Sequence, residues 1–340
     1  MSSRKPTSHD VARLAGVSQT TVSYVMSKRR SVAPETEQRV LQAMEELGYQ
    51  PNSGARALRS NRSKLIGVVV PYHTGADPGA QHQFLISTAS HLRKRGYDLV
   101  LMTSNEGPAG LRRVIDTALC DGLLIMEVLA DDSRTSVICE SNTPAVFIGI
   151  PSNPDPVIAI DSDYEYAGRE AVAALADRGH EEIIFLNPRD PSLNELNFLI
   201  RFRNGVLSEA SSRPLRIRET PVDISYRDIM RTLDELMPRH GDAFLLGPLV
   251  PVDDWSNAMR SKGLEPGVDV SVIATSWDPV RTHSLNEPTR FDMQTPLLTS
   301  RAVSLLLDRL DSPPPREPVQ HLIAPVFHEG TTLMPRSTRD

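Results

Sequence analysis

Cysteine is almost absent: the 340 residues contain two, Cys120 and Cys139. Two isolated thiols form neither a disulfide framework nor a paired-cysteine metal site, and they fit a reducing compartment. No run of eighteen apolar residues occurs, which excludes a transmembrane helix. Met1 to Asp10 is polar and has no apolar h-region, so no secretory signal is expected and the location reads as cytoplasmic. Catalytic signatures are missing too. There is no Walker loop, no Gly-x-Ser-x-Gly and no His-Glu-x-x-His, and the nine histidines show no ligand periodicity. His180-Glu181-Glu182 follows Gly179, a helix-ending position where histidine often caps carbonyls. Asp161-x-Asp163 leaves a metal-assisted transferase as the enzyme alternative, although two acids one residue apart are common in strand-end loops. No cofactor and no metal site are expected.

What is present is a globular composition, with 39% hydrophobic and 24% charged residues over a length that suits two or three domains. The net charge of −6 hides an asymmetry. Residues 1–64 carry eleven Lys or Arg against five Asp or Glu, a net +6, while the other 276 hold 26 basic and 38 acidic residues, a net −12. A basic head on an acidic body points to a polyanion partner for the head alone.

The head has helical punctuation. Thr7-Ser8-His9-Asp10 is a capping-box variant, Val11, Leu14 and Ala15 recur at helical spacing, and Gly16 stops the run. Ser18 is a second N-cap candidate, opening Gln19 to Met26. Two short helices around a glycine-containing turn make a helix-turn-helix pattern. With Val22, Val25 and Met26 inward, Gln19, Thr20, Ser23 and Tyr24 face outward, able to reach base edges or phosphates. A third helix is predicted from Pro34, with Val40, Leu41, Met44 and Leu47 on one face and Gly48 beyond its end; Ala33 is a poor N-cap for it. Tyr49 to Ser60 is short and basic, too short for a stable free helix, and Gly54 weakens it by about 1 kcal/mol relative to alanine.

"DVARLAGVSQTTVSYVM", "VAPETEQRVLQAMEELGYQPN" and "ARALRSNRSKLIGVVVP" together resemble the DNA-binding headpiece and hinge of the LacI/GalR family of bacterial transcription regulators. The resemblance implies that Gln19, Thr20 and Tyr24 read bases and that Ser18, Thr21, Ser23 and Tyr49 contact the DNA backbone, with Asn52 near the hinge. Thr7, Lys28, Arg29, Ala55 and Arg56 complete the implied DNA-contact set. Leu58 matches the hinge leucine that the family wedges into the minor groove; the alternative is that it packs on the headpiece.

From Lys64 onward, short apolar runs alternate with amphipathic segments: Leu65–Val70, Tyr97–Met102, Gly122–Met126 and Ala145–Ile150 as strands, with helices between them. A second set runs from the helix Tyr164–Ala176 through strands at Ile183–Leu186, Arg216–Thr220, Ala243–Leu246 and Val270–Ala274 to a long helix, Leu297–Leu310, ended by Pro313-Pro314-Pro315. Two doubly wound parallel lobes place a ligand at the strand ends between them. "DYEYAGREAVAALADRGHEEIIFL", "VDVSVIA" and "LLTSRAVSLLLDRL" resemble the core of the same family, which is similar to periplasmic sugar-binding proteins.

Departures from the family pattern fall in the cleft. The arginine three residues before the glycine of the second-lobe helix is replaced by Phe202, flanked by Arg201 and Arg203. The sugar-gripping Asn-Asp pair becomes Pro248-Leu249, and the glycine-aromatic-Asp-Asp segment becomes Ala274-Thr275-Ser276-Trp277-Asp278. The aromatic loop after the first strand is reduced to His73–Gln83, while Asp163 retains the cleft-side aspartate. Losing those donors and acceptors argues against an ordinary sugar. The candidate effector set is Tyr72, His73, Asp163, Phe202, Arg203, Trp277 and Asp278. Phe202 and Trp277 have a core reading as their alternative, and a cleft that binds nothing is a third possibility.

The expected protein has an α/β fold: a three-helix headpiece (1–50), a hinge helix (51–63), and a two-lobed periplasmic-binding-protein-like core (64–340). Its first lobe is expected over 64–162 plus 291–320 and its second over 163–290 plus 321–340. The resemblance implies a repressor that binds a pseudo-palindromic operator as a homodimer, under control of a small molecule and with no membrane partner. The missing signal and the attached head argue against a transport-type binding protein, and no leucine heptad suggests a tetramer tail.

Overall fold

Thr7 starts the first helix through a reciprocal pair with Asp10: the Asp10 N–H donates to Thr7 Oγ1 (3.4 Å), and the Thr7 N–H donates to Asp10 Oδ2 (2.9 Å). The computed structural model describes residues 6–27, 31–49, 62–70, 78–103, 107–223, 225–275 and 287–334. It divides into two compact units, Met1–Lys64 and Leu65–Asp340.

In the first unit, α1 (Ser8–Ala15) ends at Gly16, whose left-handed φ of 64° suits glycine. Next come α2 (Gln19–Ser27) and α3 (Pro34–Glu46); α3 has proline in its first turn, and Ala33 before it makes no side-chain cap bond. Val11, Val22, Val25, Val40 and the alanines 12, 15 and 43 form the core. Leu14 and Leu41, expected inside, are exposed. Small Ala12 and Ala43 occupy the buried positions instead, so the wider leucine side chains fall outside the packed stripe.

The second unit holds two six-stranded sheets. The first is ordered β11-β5-β4-β3-β1-β2, with β1 (Leu65–Val70), β2 (Asp98–Thr103), β3 (Gly122–Ile125), β4 (Ala145–Ile148), β5 (Ile158–Ser162) and β11 (Val319–Ile323), all parallel. Helices α4 (Pro78–Lys94) and α11 (Thr295–Arg309) cover one face, and α5 (Gly107–Asp116) and α6 (Arg134–Ser141) the other. Cover on both faces explains why β1, β3 and β4 are nearly all apolar.

The second sheet is ordered β12-β10-β9-β8-β6-β7: β6 (Glu182–Pro188), β7 (Arg216–Val222), β8 (Ala243–Leu246), β9 (Ser271–Ala274), β10 (Thr289–Asp292) and an antiparallel edge strand, β12 (Val326–His328). Helices α7 (Tyr164–Ala176) and α8 (Asn197–Ser211) pack on one face, α9 (Tyr226–Leu236) and α10 (Val252–Ser261) on the other.

The chain passes between the sheets three times, at 162–163, 293–294 and 324–325. The later two passages lie beyond the expected 290/291 and 320/321, because β10 pairs with β12 as far as Asp292 and β11 pairs with β5 as far as Ile323. The passages run side by side: Ser162 Oγ donates to the Met293 carbonyl (2.6 Å), and the Asp163 N–H to that of Ile323 (2.9 Å). Among the described residues, no helix is long and apolar enough to cross a membrane.

Candidate nucleic-acid interface and interlobe cleft

In the N-terminal unit, Ser18 caps α2 by accepting the Thr21 N–H (3.0 Å) and also lies 2.9 Å from Thr21 Oγ1. The cap sets Gln19 and Thr20, both exposed, on the first turn of α2, while Val22 and Val25 anchor the opposite side. Gln19 Nε2 donates to Ser8 Oγ (2.8 Å), which orders the long amide before any partner arrives. Thr21, Ser23 and Tyr24 are half-buried, and Tyr49 packs partly against the three-helix core. Thr7 is the helix cap itself. A helix with short polar side chains and one amide on its leading turn can present hydrogen-bonding groups to base edges and phosphates. Lys28, Arg29, Asn52, Ala55, Arg56 and Leu58 lie outside the described residues.

In the core unit, helix α8 organises the cleft, and its three faces do different work. Phe202 and Val206 face inward; Phe202 is fully buried, its ring 5.9 Å from that of Phe185. The expected ligand role of Phe202 is therefore corrected: it is a core residue with no exposed surface. Arg203 is turned to the second sheet, where its Nε and Nη2 grip both oxygens of Glu219 (2.7 and 2.9 Å). That fork faces β7, and the Arg203 side chain is 47% exposed. Hydrogen bonding to Glu219 raises the Arg203 pKa above its usual value.

The third face of α8 meets the first lobe. Asn197 Nδ2 donates to the Ile150 carbonyl just past β4. One turn on, Arg201 Nη1 donates to Asp161 Oδ2 on β5 (3.1 Å), with Nη2 3.5 Å from Asp163 Oδ1. Ahead of the helix, Leu129 and Leu196 form a backbone bridge: the Ala130 N–H donates to Glu195 O (3.0 Å) and the Asn197 N–H to Val128 O (2.9 Å). The start of α8 thus lies across the carboxyl ends of β3, β4 and β5, where ligands bind in open α/β sheets.

The loop that meets it is braced from below. Asp132, 1% exposed, accepts from Arg134 Nε and Nη2 and from the Leu129 N–H, while Arg134 Nη2 also donates to the Glu127 carbonyl. Glu127 itself stands at a left-handed φ of 51° and accepts from Gln81 Nε2 (2.5 Å).

Asp163 is the N-cap of α7, accepting the Tyr166 N–H (3.0 Å). Arg201 and Asn197 were not singled out as site residues by sequence, and Asp161 entered only through the Asp161-x-Asp163 enzyme alternative. Asp161 is 4% exposed, and burial pushes its pKa up to about 7 despite the opposing pull of Arg201 and the Ser162 N–H. Burial, and then the charge of Asp161, likewise raise the Tyr164 hydroxyl, whose ring lies 5.1 Å from Phe198. Pro248 is buried and Leu249 half-buried at the end of β8, and neither side chain offers a polar atom. Tyr72, His73, Trp277 and Asp278 lie outside the described residues.

The profile of bacterial regulatory proteins of the lacI family matches residues 7–52. The chain is 30% identical over 313 residues to an HTH-type transcriptional repressor PurR of Mannheimia succiniciproducens, spanning 88% of this chain and 91% of that protein. It is 27% identical over 329 residues to the HTH-type transcriptional regulator CelR of Thermobifida fusca, spanning 90% and 92%. In fold it is similar to the lac repressor dimer bound to operator and the anti-inducer ONPF, with a TM-score of 0.78 and 24% identity over 97% of this chain and all of that one. A CelR–cellobiose complex superposes with a TM-score of 0.64 at 24% identity over 96% and 99%.

Proposed function

Because the chain belongs to the lacI family of bacterial regulatory proteins, a family of DNA-binding transcriptional regulators, we propose that it is a repressor acting in the cytoplasm as a homodimer on a pseudo-palindromic operator. The observation that carries this reading is the capped leading turn of α2, with Gln19 and Thr20 exposed on a segment of net charge +6. In this reading Gln19, Thr20 and Tyr24 read base edges; Ser18, Thr21, Ser23 and Tyr49 hold the backbone, with Asn52 near the hinge; Thr7, Lys28, Arg29, Ala55 and Arg56 complete the contact set; and Leu58 wedges the minor groove. Two-fold symmetry of the protein is then mirrored in the operator. Relatives across nearly the whole chain are regulators, which supports a non-enzymatic role.

The core is the regulatory half, and its effector is not an ordinary sugar. Apolar Pro248 and Leu249 at the end of β8, and the engagement of Asp161 and Asp163 by Arg201, support that reading. The likeness in fold to a regulator bound to cellobiose favours a saccharide as the second reading.

Selection of bound duplexes from a randomised DNA library, with full-length protein at physiological salt, tests the proposal. The expected result is an enriched inverted repeat, which then serves to screen cations, saccharides and other small molecules for release. Salt-sensitive binding with no enriched sequence would overturn the operator reading.

A further inference from the structure

A two-lobed body joined by three crossovers can hinge, and whatever fills the gap between the lobes sets the resting angle. Here the chain fills part of that gap itself. Arg201 reaches from α8 of the second lobe to Asp161 on β5 of the first, and its second nitrogen faces Asp163 beside the crossover at 162–163. The guanidinium is 14% exposed and the Asp161 side chain 6%, so water does little to screen the pair. The bridge between Leu129 and Leu196 and the bond from Asn197 to Ile150 hold the same helix start to the same lobe.

We propose that Asp161 and Asp163 form a cation subsite at the hinge end of the cleft, that the chain occupies it with its own Arg201, which ties the lobes together, and that a ligand addressing the subsite is a guanidinium compound competing with Arg201. This deepens the reading of the core as the regulatory half. A planar fork suits the site: Nη1 meets one carboxylate while Nη2 turns to the other, a division that a single ammonium cannot reproduce. A neutral polyol meets carboxylates already engaged, whereas a cation gains what Arg201 gives up. Because the arginine is tethered, a competitor works against a high effective concentration, so a weak cation moves the equilibrium only when present in excess.

The test uses full-length wild type, Arg201→Ala and Asp163→Asn, with Arg203→Ala as a control on another face of α8, all at pH 8, where the Asp161 carboxyl is ionised. Amide hydrogen exchange is followed at Ala130 and Asn197, two N–H donors that cross between the lobes. Methylguanidinium chloride is titrated in against tetramethylammonium chloride at matched ionic strength. In Arg201→Ala, exchange at both amides should accelerate about tenfold or more, the scale of one lost charge-assisted hydrogen bond. In wild type, excess methylguanidinium should accelerate the same amides by displacing Arg201 and tetramethylammonium should not, while Arg203→Ala behaves as wild type. Unchanged exchange in Arg201→Ala, or in wild type with excess methylguanidinium, overturns the proposal. Should Arg201→Ala not fold, Asp163→Asn decides: it keeps the buried Asp161 pair and should accelerate the same amides by a smaller factor, and no acceleration refutes the site. These readings contain no DNA, so their failure is separate from a failure to select an operator.

Discussion

A side-chain carbon placed on Gly205 would stand 2.1 Å from the carbonyl oxygen of Glu165. The contact is reciprocal in kind: on the facing helix, a carbon on Gly168 would meet the Phe202 carbonyl at 2.3 Å. Backbone is the obstacle in both cases, so no rotamer relieves it. Helices α7 and α8 cross through this pair, which sets the roll of α8 and turns Asn197 and Arg201 toward the first lobe. Gly205→Ala should destabilise the core by about 1–3 kcal/mol, the usual scale of overpacking, measured by urea unfolding. A change below about 0.5 kcal/mol, the scale of surface substitutions, would contradict the close crossing.

Asp161 should give the protein an unusual acid-side stability. Its carboxyl titrates near pH 7 in the fold against an ordinary value of 3.8, so between those values the folded chain keeps a proton that the unfolded chain has released. Stability from this group is fully present below about pH 4 and is lost as pH rises through 7, with a slope approaching 1.4 kcal/mol per pH unit. The thermal midpoint of wild type should therefore fall between pH 5 and 8 relative to Asp161→Asn. Parallel profiles would show that Asp161 is not the group responsible.

Thr7 caps α1, so it contributes to headpiece stability as well as to the proposed DNA contact. Thr7→Ala should cost about 1 kcal/mol, seen as faster amide exchange at Asp10 and Val11, with Thr7→Ser retaining most of the protection. If the serine variant exchanges as fast as the alanine variant, the hydroxyl is not what holds the helix start.

On DNA, Gln19→Ala should lose about 1–3 kcal/mol of specific affinity and relax selection at one base position. Leu58→Ala should weaken binding to the selected operator while sparing most affinity for a scrambled duplex, since a wedge adds to specific binding. Titrations on both duplexes check this; equal losses on the two sites would remove the wedge.

The headpiece was legible because its signals are local. Thr7, Gly16, Ser18 and Pro34 act through their own backbone neighbours, and each stands where its chemistry placed it. Strands with continuous apolar runs were legible for the same reason. β5, β10, β11 and β12 were not: β5 ends in polar Asp161 and Ser162, β10 mixes Thr289, Arg290 and Asp292 with a single aromatic, β12 has three residues, and β11 is almost wholly exposed at a sheet edge. The cleft was read through offsets from Gly205, which landed on Phe202. Helical geometry decides otherwise. Phe202 shares the inward face with Val206, whereas Asn197 and Arg201, four apart, form the polar stripe aimed at the other lobe. That i,i+4 polar pair was the available signal. Its acceptors, Ile150 and Asp161, lie dozens of residues away, where no local pattern announces them.

Ten residues, Val319 to His328, supply the outermost strand of both sheets. The headpiece, by contrast, has its own core by Tyr49. During synthesis the DNA reader is thus complete while both lobes still lack an edge, and domains fold in the order they are made. A nonsense mutation after Arg309 would release a chain with an intact reader, no finished regulatory half, and β5 and β10 each bare along one side. Unpaired strands of that kind recruit other chains, so the expected fate of such a product is aggregation rather than unregulated repression.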